Sequence, residues 1–157
     1  MKNIICNTRS EKILKINNIA LEKINHHLQI KEIDNEAGGV IVGRELISSG
    51  NFVIDDISTP LKRDIRKSHF FNKYLPDHQK FIQQKWTESQ GTCSYLGEWH
   101  THPEDKPTPS SLDICSWKNV LKRTVCDEVS LFFIIAGNKE IRIWEGFVHD
   151  LTIEQIY

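Results

Sequence analysis

The sequence has no paired-cysteine motif: its four cysteines, Cys6, Cys93, Cys115 and Cys126, lie far apart, with no C-x-x-C among them. This spacing disfavours a zinc site built from cysteine ligands. The first residues also lack the apolar run of a secretion signal. We therefore interpret the cysteines as free thiols in a reducing compartment and expect a cytoplasmic protein.

Long apolar runs and an excess of one charge are absent as well. The longest apolar run, residues 131–136, is far shorter than the roughly 20 residues that a membrane-spanning helix needs. The 20 basic and 21 acidic residues leave a formal net charge of -1, so no whole-protein field favours nucleic acid or an anionic membrane. The length of 157 residues fits one domain with one sizeable core, residues 1–157.

Hydrophobic spacing predicts strands interspersed with helices, which is typical of an α/β or α+β sandwich. The predicted strands are residues 12–16, 39–47, 51–58, 92–101, 128–136, 140–147 and 151–156. The predicted helices are residues 17–30, a helix from Pro76 to about residue 90, and one that begins at Ser110. Residues 61–75 are predicted to form an irregular basic loop.

Two histidines stand one residue apart at the end of the predicted strand 92–101. Side chains at this spacing leave the same face of a strand, so His100 and His102 can converge on one zinc ion. Asp113, in the first turn of the next helix, is the nearest candidate for a third ligand, because a proline-rich loop can fold that turn back over the strand. Three protein ligands leave the fourth position open, as in catalytic zinc sites.

Each of these residues also has a simpler explanation. A His-x-His pair often reflects surface or core polarity, and Asp113 alone would be a helix-start acid favoured by the helix dipole. Ser110, three residues before Asp113, is predicted to cap the helix and is also placed to donate to an oxyanion. Their combination in a strand–loop–helix context favours the metal site.

The full spacing, H-x-H-x(7)-S-x(2)-D, resembles the JAMM signature of the JAB/MPN-plus zinc metalloproteases. The upstream family element E-x-G-G-x-x-x-G is similar to residues 36–43, EAGGVIVG, although its glycine pair alone would suggest a plain turn. The resemblance implies a curved mixed β-sheet packed by helices, in a single JAB/MPN-like domain.

The same resemblance assigns roles to five residues. It implies that His100, His102 and Asp113 bind one zinc ion per chain, that Glu36 is the general base and acid, and that Ser110 steadies the oxyanion. Among rival carboxylates, Glu98 shares the face of the histidines and could support the site from behind, whereas Glu104 and Asp105 are expected to be solvated.

The resemblance also implies a function. Many family members hydrolyse peptide or isopeptide bonds at the C-terminus of ubiquitin or ubiquitin-like proteins. The short chain and residues 62–71, which end in RKSHFF, resemble small bacterial JAB-domain proteins of CBASS anti-phage operons. Such proteins work beside ubiquitin-activating-like and ubiquitin-conjugating-like enzymes and release a conjugated cyclic-nucleotide synthase from its targets. The expected partner is the C-terminal tail of a ubiquitin-like protein or of that synthase.

Other functions stay open at this point. The chain could be a catalytically inactive MPN-type scaffold, although every motif position is filled, or a JAB peptidase that matures a ubiquitin-like or sulfur-carrier precursor. A zinc nucleobase deaminase would need H-x-E together with P-C-x-x-C, and the sequence contains no P-C-x-x-C. Five basic residues in the loop could grip an acidic protein surface, form a plain solvated loop or, with little else in support, bind nucleic acid: Lys62, Arg63, Arg66, Lys67 and Lys73.

Overall fold

A computed structural model describes residues 3–31, 33–125 and 129–157, and in these ranges it has ten strands and three helices. The strands are β1 (Ile4–Asn7), β2 (Ile13–Ile16), β3 (Gly38–Glu45), β4 (Phe52–Ile57), β5 (Ile65–Lys67), β6 (Phe70–Asn72), β7 (Ser94–Thr101), β8 (Ser130–Ala136), β9 (Ile141–Phe147) and β10 (Ile153–Gln155). The helices are α1 (Asn18–Asn25), α2 (Leu75–Glu88) and α3 (Ser111–Arg123).

Eight of the strands form one mixed sheet in the order β1-β2-β4-β3-β7-β8-β9-β10, and β5 and β6 form a separate hairpin. The pairs β2–β4 and β7–β8 are parallel and the other pairs are antiparallel. The sheet curls so that its two edges approach each other. The backbone N–H of Arg9, just after β1 at one edge, donates to the Glu145 carboxylate of β9, near the other edge, at 2.7 Å. The expected curved mixed sheet packed by helices is therefore confirmed.

The central strands are buried on both faces. All seven residues of β8 are buried, and their side chains alternate between two hydrophobic clusters as the period of two requires. Phe132 and Ile134 pack in the larger cluster with α1. Phe133 packs on the other face, where its ring stacks on Trp117 of α3 with the ring centroids 4.7 Å apart. These two layers fix the positions of α3 and of the strand ends around it.

Close backbone approach explains one glycine of β7. Gly97 has a φ of +140°, and a Cβ there would lie 1.8 Å from the carbonyl oxygen of Phe132 on the neighbouring β8. The pairing of β3 with β7 also shifts register between Ile41 and Val42. Such an irregularity bends a strand and increases its twist, and here it lies a few residues before the two histidines.

Several boundaries differ from the sequence-based predictions. The helix predicted over 17–30 ends at Asn25, and residues 65–67 and 70–72 form a hairpin where an irregular loop was predicted. Strand β1 was not predicted; it pairs with β2 over four residues. Residue 128, the first of the predicted strand 128–136, lies outside the described residues.

Of the four cysteines, Cys6, Cys93 and Cys115 are free thiols as expected, whereas Cys126 lies outside the described residues. None of the described helices is long and apolar enough to span a membrane.

Candidate metal centre and active site

The two histidines lie where β7 ends, between β3 and β8. His100 is opposite Gly38 on one side and Ile135 on the other, and the backbone N–H of His102 donates to Ala136 at 3.0 Å. The two imidazoles leave the same face, as the spacing predicts, and their Nε2 atoms are 3.1 Å apart. Pairing on both sides of the strand thus holds two ring nitrogens close together.

The proline-rich loop returns Asp113 to these histidines. Pro107 is buried, and the loop is fixed to the β8–β9 turn, where the backbone N–H of Asn138 donates to Glu104 at 2.7 Å. Asp113 then places Oδ1 3.3 Å from His100 Nε2 and Oδ2 3.5 Å from His102 Nε2. The three residues form a group whose ligand atoms all lie within 4.8 Å of one another.

Ser110 orients the Asp113 carboxylate. It is the N-cap of α3 and forms a capping box with Asp113: the Ser110 backbone N–H and hydroxyl both donate to Asp113 Oδ2, at 2.7 and 2.6 Å. In return, the Ser110 hydroxyl accepts the Asp113 backbone N–H at 3.2 Å. The predicted cap is confirmed, while the role of this hydroxyl toward an oxyanion stays a prediction.

The electrostatics of the group suit a cation. Burial alone would raise the pKa of Asp113, but hydrogen bonds with His100 and His102 hold it well below its usual range. Burial is also the largest influence on His100, whose pKa is lowered. An ionised carboxylate beside an imidazole that favours its neutral form is a donor set that zinc accepts. The residues present therefore fit the metal that the motif implies.

Glu36 lines the same cleft, immediately before β3. Its side chain is almost fully buried, with 6% of the residue exposed. Burial raises the pKa of Glu36 to about 7, while His102 lowers it and Asp113 raises it. A carboxyl group with a pKa near neutrality is suited to accept and return a proton. The structure thus brings all five predicted site residues to one cleft.

The cleft has a volume of about 620 Å³ and lies between the β5–β6 hairpin and α3. The hairpin contributes Phe70 and Phe71, and α3 contributes Leu112. Two of these apolar residues are exposed at the rim of the cleft: Phe70 is 41% exposed and Leu112 is 72% exposed. A cleft with apolar side chains at its edge, next to His100, His102 and Asp113, can accept part of a polypeptide.

The rival carboxylates have other partners. Glu98 lines the cleft, where its Oε2 accepts a hydrogen bond from Lys73 Nζ at 2.8 Å in a largely buried ion pair. Glu104 is exposed and its Oε2 is 4.0 Å from His102 Nδ1. Asp105 is exposed and pairs with Lys139. Glu98 thus supports the wall of the cleft, and neither loop carboxylate replaces Asp113.

The basic loop is not a free cationic surface. Arg63 forms an ion pair with Asp77, and Lys73 is engaged with Glu98. Arg66 donates from Nε to the carbonyl oxygen of Glu36 at 2.7 Å, which fixes the backbone of that residue. Lys62 and Lys67 are exposed. Three of these five charges therefore hold the hairpin in place. Fewer basic side chains are left to bind an acidic protein surface or nucleic acid.

Sequence reasoning missed the residues that fix Glu36. Besides Arg66, they are Gln29 and Thr101, both almost fully buried and hydrogen-bonded to each other. No spacing rule links Gln29 to the histidine motif, because the two are brought together only by the fold. Thr101 was visible as the residue between the histidines, but its partners could not be inferred from the sequence.

A second cluster has the order of a nucleophilic triad but no access to substrate. Ser58 Oγ lies 2.7 Å from His78 Nδ1, and His78 Nε2 lies 3.0 Å from Asp64 Oδ2. His78 is 0% exposed and Ser58 2% exposed. Asp64 also accepts the backbone N–H groups of Leu61 and Tyr74, so this cluster closes the base of the loop that carries the hairpin.

Comparison with known proteins agrees with this geometry. Residues 20–146 match the family of prokaryotic homologs of the JAB domain. A "CD-NTase/cGAS isopeptidase" of Pseudomonas aeruginosa is 33% identical over 126 residues, which are 80% of this chain and 78% of the relative. A protein of the same name from Vibrio cholerae is 31% identical over 143 residues, 91% and 86% of the two chains, and one from Escherichia coli is 33% identical over 129 residues, 82% and 79%.

A solved structure shares the fold. The solution structure of protein DSY2949 from Desulfitobacterium hafniense superposes with a TM-score of 0.57 at 19% identity, covering 89% of this chain and 87% of the other. The family match spans most of the chain and includes Glu36, both histidines, Ser110 and Asp113. The chain therefore belongs to the prokaryotic homologs of the JAB domain.

Proposed function

We propose that this protein is a zinc-dependent isopeptidase that cleaves after the C-terminus of a ubiquitin-like protein or of a conjugated protein tail. The observation that carries the proposal is the convergence of His100, His102 and Asp113 within 4.8 Å, in a cleft that also contains the buried carboxyl of Glu36. The family and the names of the relatives support it. We take residues 1–157 to act as one catalytic domain.

In this proposal His100, His102 and Asp113 hold the zinc ion, one per chain. When bound, zinc acts as a Lewis acid and lowers the pKa of a coordinated water to about 7. Nitrogen, nitrogen and carboxylate oxygen are ligands that zinc binds in catalytic sites with one open position. The Ser110 backbone and hydroxyl keep Asp113 in the orientation that this ligand set needs.

In this proposal Glu36 transfers a proton from the attacking water to the leaving amine. Its carboxylate accepts a proton as the nucleophile attacks the scissile carbonyl, and then delivers that proton to the leaving amine, which could not depart as an anion. The pKa of about 7 lets one group perform both steps near neutral pH. Ser110 would donate to the developing oxyanion once its hydroxyl turns from Asp113, which adds stabilisation in the transition state.

The names of the relatives support a substrate class. Three curated relatives at 31–33% identity carry the name "CD-NTase/cGAS isopeptidase". We infer that this protein likewise deconjugates a cyclic-nucleotide synthase from its targets in CBASS anti-phage defence, beside ubiquitin-activating-like and ubiquitin-conjugating-like enzymes. The exposed apolar side chains of Phe70 and Leu112 at the cleft support a polypeptide substrate.

The test uses conjugates of a cyclic-nucleotide synthase made by the ubiquitin-like conjugating enzymes of a CBASS operon. The full chain should release the synthase, and 1,10-phenanthroline should stop the release until zinc is added back. A linear fusion of the synthase tail to a second protein, assayed in parallel, separates isopeptide from peptide cleavage. Intact conjugates after incubation with the zinc-loaded protein would overturn the proposed function, and cleavage only of a ubiquitin-like or sulfur-carrier precursor would replace it.

A further inference from the structure

A buried side-chain amide joins three segments around the active site. Gln29, which follows α1 and is 2% exposed, donates from Nε2 to the carbonyl oxygens of Asp34 at 3.1 Å and Ser68 at 2.8 Å. Its Oε1 accepts the hydroxyl of Thr101 at 3.1 Å. Both hydrogens and the oxygen of the amide are used, so it ties the segment before Glu36 to the hairpin turn and to the end of β7.

Thr101 extends this connection to the residue next to Glu36. It lies between the two histidines, points to the opposite face of β7 and is 0% exposed. Its hydroxyl donates to Gln29 and accepts the backbone N–H of Ala37 at 3.0 Å. In addition, the Thr101 backbone N–H donates to the Ala37 carbonyl oxygen at 2.8 Å. The backbone beside the catalytic carboxylate is thereby fixed to the strand that carries the metal ligands.

These bonds matter because Glu36 has no regular secondary structure of its own. Residues 34–37 belong to neither a helix nor a strand. On the other side, the Glu36 backbone N–H donates to the Lys67 carbonyl oxygen at 2.9 Å and its carbonyl accepts from Arg66. Residues 34–37 are therefore held by hydrogen bonds to three separate segments, made by side chains and by the backbone, rather than by pairing within a helix or a strand of their own.

We propose that Gln29 and Thr101 are positioning residues for Glu36. Neither touches the reacting atoms; the Gln29 amide and the Thr101 hydroxyl act by holding residues 34–37 against β7. The inference rests on the proposed function in taking Glu36 as the group that moves the proton. A displacement of about 1 Å in a catalytic group can cost about 100-fold in rate, so losing this connection should lower kcat while leaving the metal ligands in place.

The decisive variants are Thr101→Val and Thr101→Ser. Valine keeps the shape of threonine but removes the hydroxyl, whereas serine keeps the hydroxyl. Thr8→Val is the matched control, because Thr8 is also buried and its Oγ1 also accepts a backbone N–H, that of Lys12 at 3.1 Å, but it lies at the β1–β2 turn. All are assayed as the full zinc-loaded chain for kcat, KM, zinc content and backbone hydrogen exchange at Glu36 and Ala37.

We expect Thr101→Val to lower kcat by about 10- to 100-fold, with KM and zinc content near those of the wild type. Hydrogen exchange at Glu36 should accelerate about tenfold or more, because the segment opens locally more often. Thr101→Ser should restore most of kcat and of the protection, and Thr8→Val should change neither. Gln29→Met, which keeps the length of the side chain but removes the amide, should repeat the effect and serves if Thr101→Val does not fold.

The inference is overturned if Thr101→Val keeps full kcat and unchanged exchange at Glu36. It is also overturned if Thr8→Val loses as much activity, or if Thr101→Val loses zinc, since the hydroxyl would then stabilise the fold or the ligands rather than Glu36. Failure of the proposed function is separate: the wild type would cleave no conjugate. Exchange at Glu36 would then decide the inference alone, with faster exchange in Thr101→Val but not in Thr8→Val supporting it and equal exchange overturning it.

Discussion

The pKa of Glu36 is under two opposed influences, burial and the nearby imidazole of His102. Burial makes ionisation of its carboxyl harder, whereas the nearby imidazole of His102 makes it easier. The balance leaves the pKa of Glu36 at about 7, which is above the usual range of a glutamate and below that of the amine that would leave. A residue so placed can hold a proton in one step and release it in the next, which an exposed glutamate would do poorly.

Exchanging this carboxyl for an amide tests the assignment of Glu36. Glu36→Gln keeps the shape and the backbone hydrogen bonds but cannot accept the proton. We expect kcat to fall by about 10²- to 10⁴-fold, with zinc content unchanged because Glu36 is not among the three ligands. Cleavage rates and metal analysis on the same preparation measure both. Glu98→Gln is the comparison, since Glu98 also lines the cleft; if it lost as much kcat, a base other than Glu36 would have to be considered.

Asp113, the third ligand in the proposed zinc site, is oriented by the cap of its own helix. Ser110 both begins α3 and donates to Asp113 Oδ2. Ser110→Ala should destabilise the fold by about 1 kcal/mol, as lost N-caps do, and weaken zinc affinity by about 10- to 100-fold, as lost hydrogen bonds to metal ligands do. Denaturation and competition with a chromophoric chelator measure the two effects. Ser111→Ala, at the next and exposed position, should change neither; unchanged zinc affinity in Ser110→Ala would separate the cap from the metal site.

At the scale of elements, ion pairs join α1 and α2 to β4. Asp56 of β4 bonds Lys23 of α1 and Lys85 of α2, and accepts the backbone N–H of Ile57. Burial would raise the pKa of Asp56, but the bonds to Lys23, Ile57 and Lys85 lower it overall. The folded carboxyl thus has a lower pKa than the unfolded one, so its contribution to stability is complete above the unfolded pKa and is lost as pH falls through the folded pKa.

The lowered pKa of Asp56 predicts how the stability of Asp56→Asn depends on pH. At neutral pH the variant should lose about 1.5–3 kcal/mol of unfolding free energy, because hydrogen bonds to a charged group are replaced by weaker ones. Below about pH 4, where the unfolded carboxyl is protonated, the difference from the wild type should shrink. Urea unfolding at several pH values measures it. Asp77→Asn, in a more exposed pair with Arg63, should show a much weaker pH dependence; a constant difference for Asp56→Asn across pH would contradict the ion-pair explanation.

The elements also show how far the sequence could lead. The seven buried residues of β8 and the capped start of α3 were predictable, because a continuous apolar run and a serine–aspartate cap are local signals. The hairpin of residues 65–72 was not, since its strands are three residues long and mostly exposed, so they carry no alternating pattern. The grouping of His100, His102 and Asp113 was predictable because all three lie within 14 residues of the sequence. Gln29 and Arg66 reach the site only through hydrogen bonds to residues far away in the sequence.

At the scale of the whole molecule, His100, His102 and Asp113 lie where a central strand of the sheet meets the helix that packs on it. The histidines end β7 and Asp113 begins α3, so an ion shared by the three would connect the strand to the helix. A ligand that binds only the folded state stabilises it by an amount that grows with its concentration relative to Kd, about 2.7 kcal/mol at 100 times Kd. Metal binding should therefore be visible in unfolding even without a substrate.

Metal removal gives the corresponding prediction. Dialysis of the zinc-loaded protein against a chelator should lower Tm by several degrees, and added zinc should restore it in a concentration-dependent way. Asp113→Ala should lose most of this zinc-dependent shift because the proposed third ligand is gone, whereas Glu36→Gln should keep it, since Glu36 is proposed to carry the proton and not to bind the metal. Scanning calorimetry with and without zinc measures all three proteins. An equal shift in Asp113→Ala and the wild type would remove Asp113 from the ligand set, while a lost shift in Glu36→Gln would place that carboxylate on the metal and require another group to carry the proton.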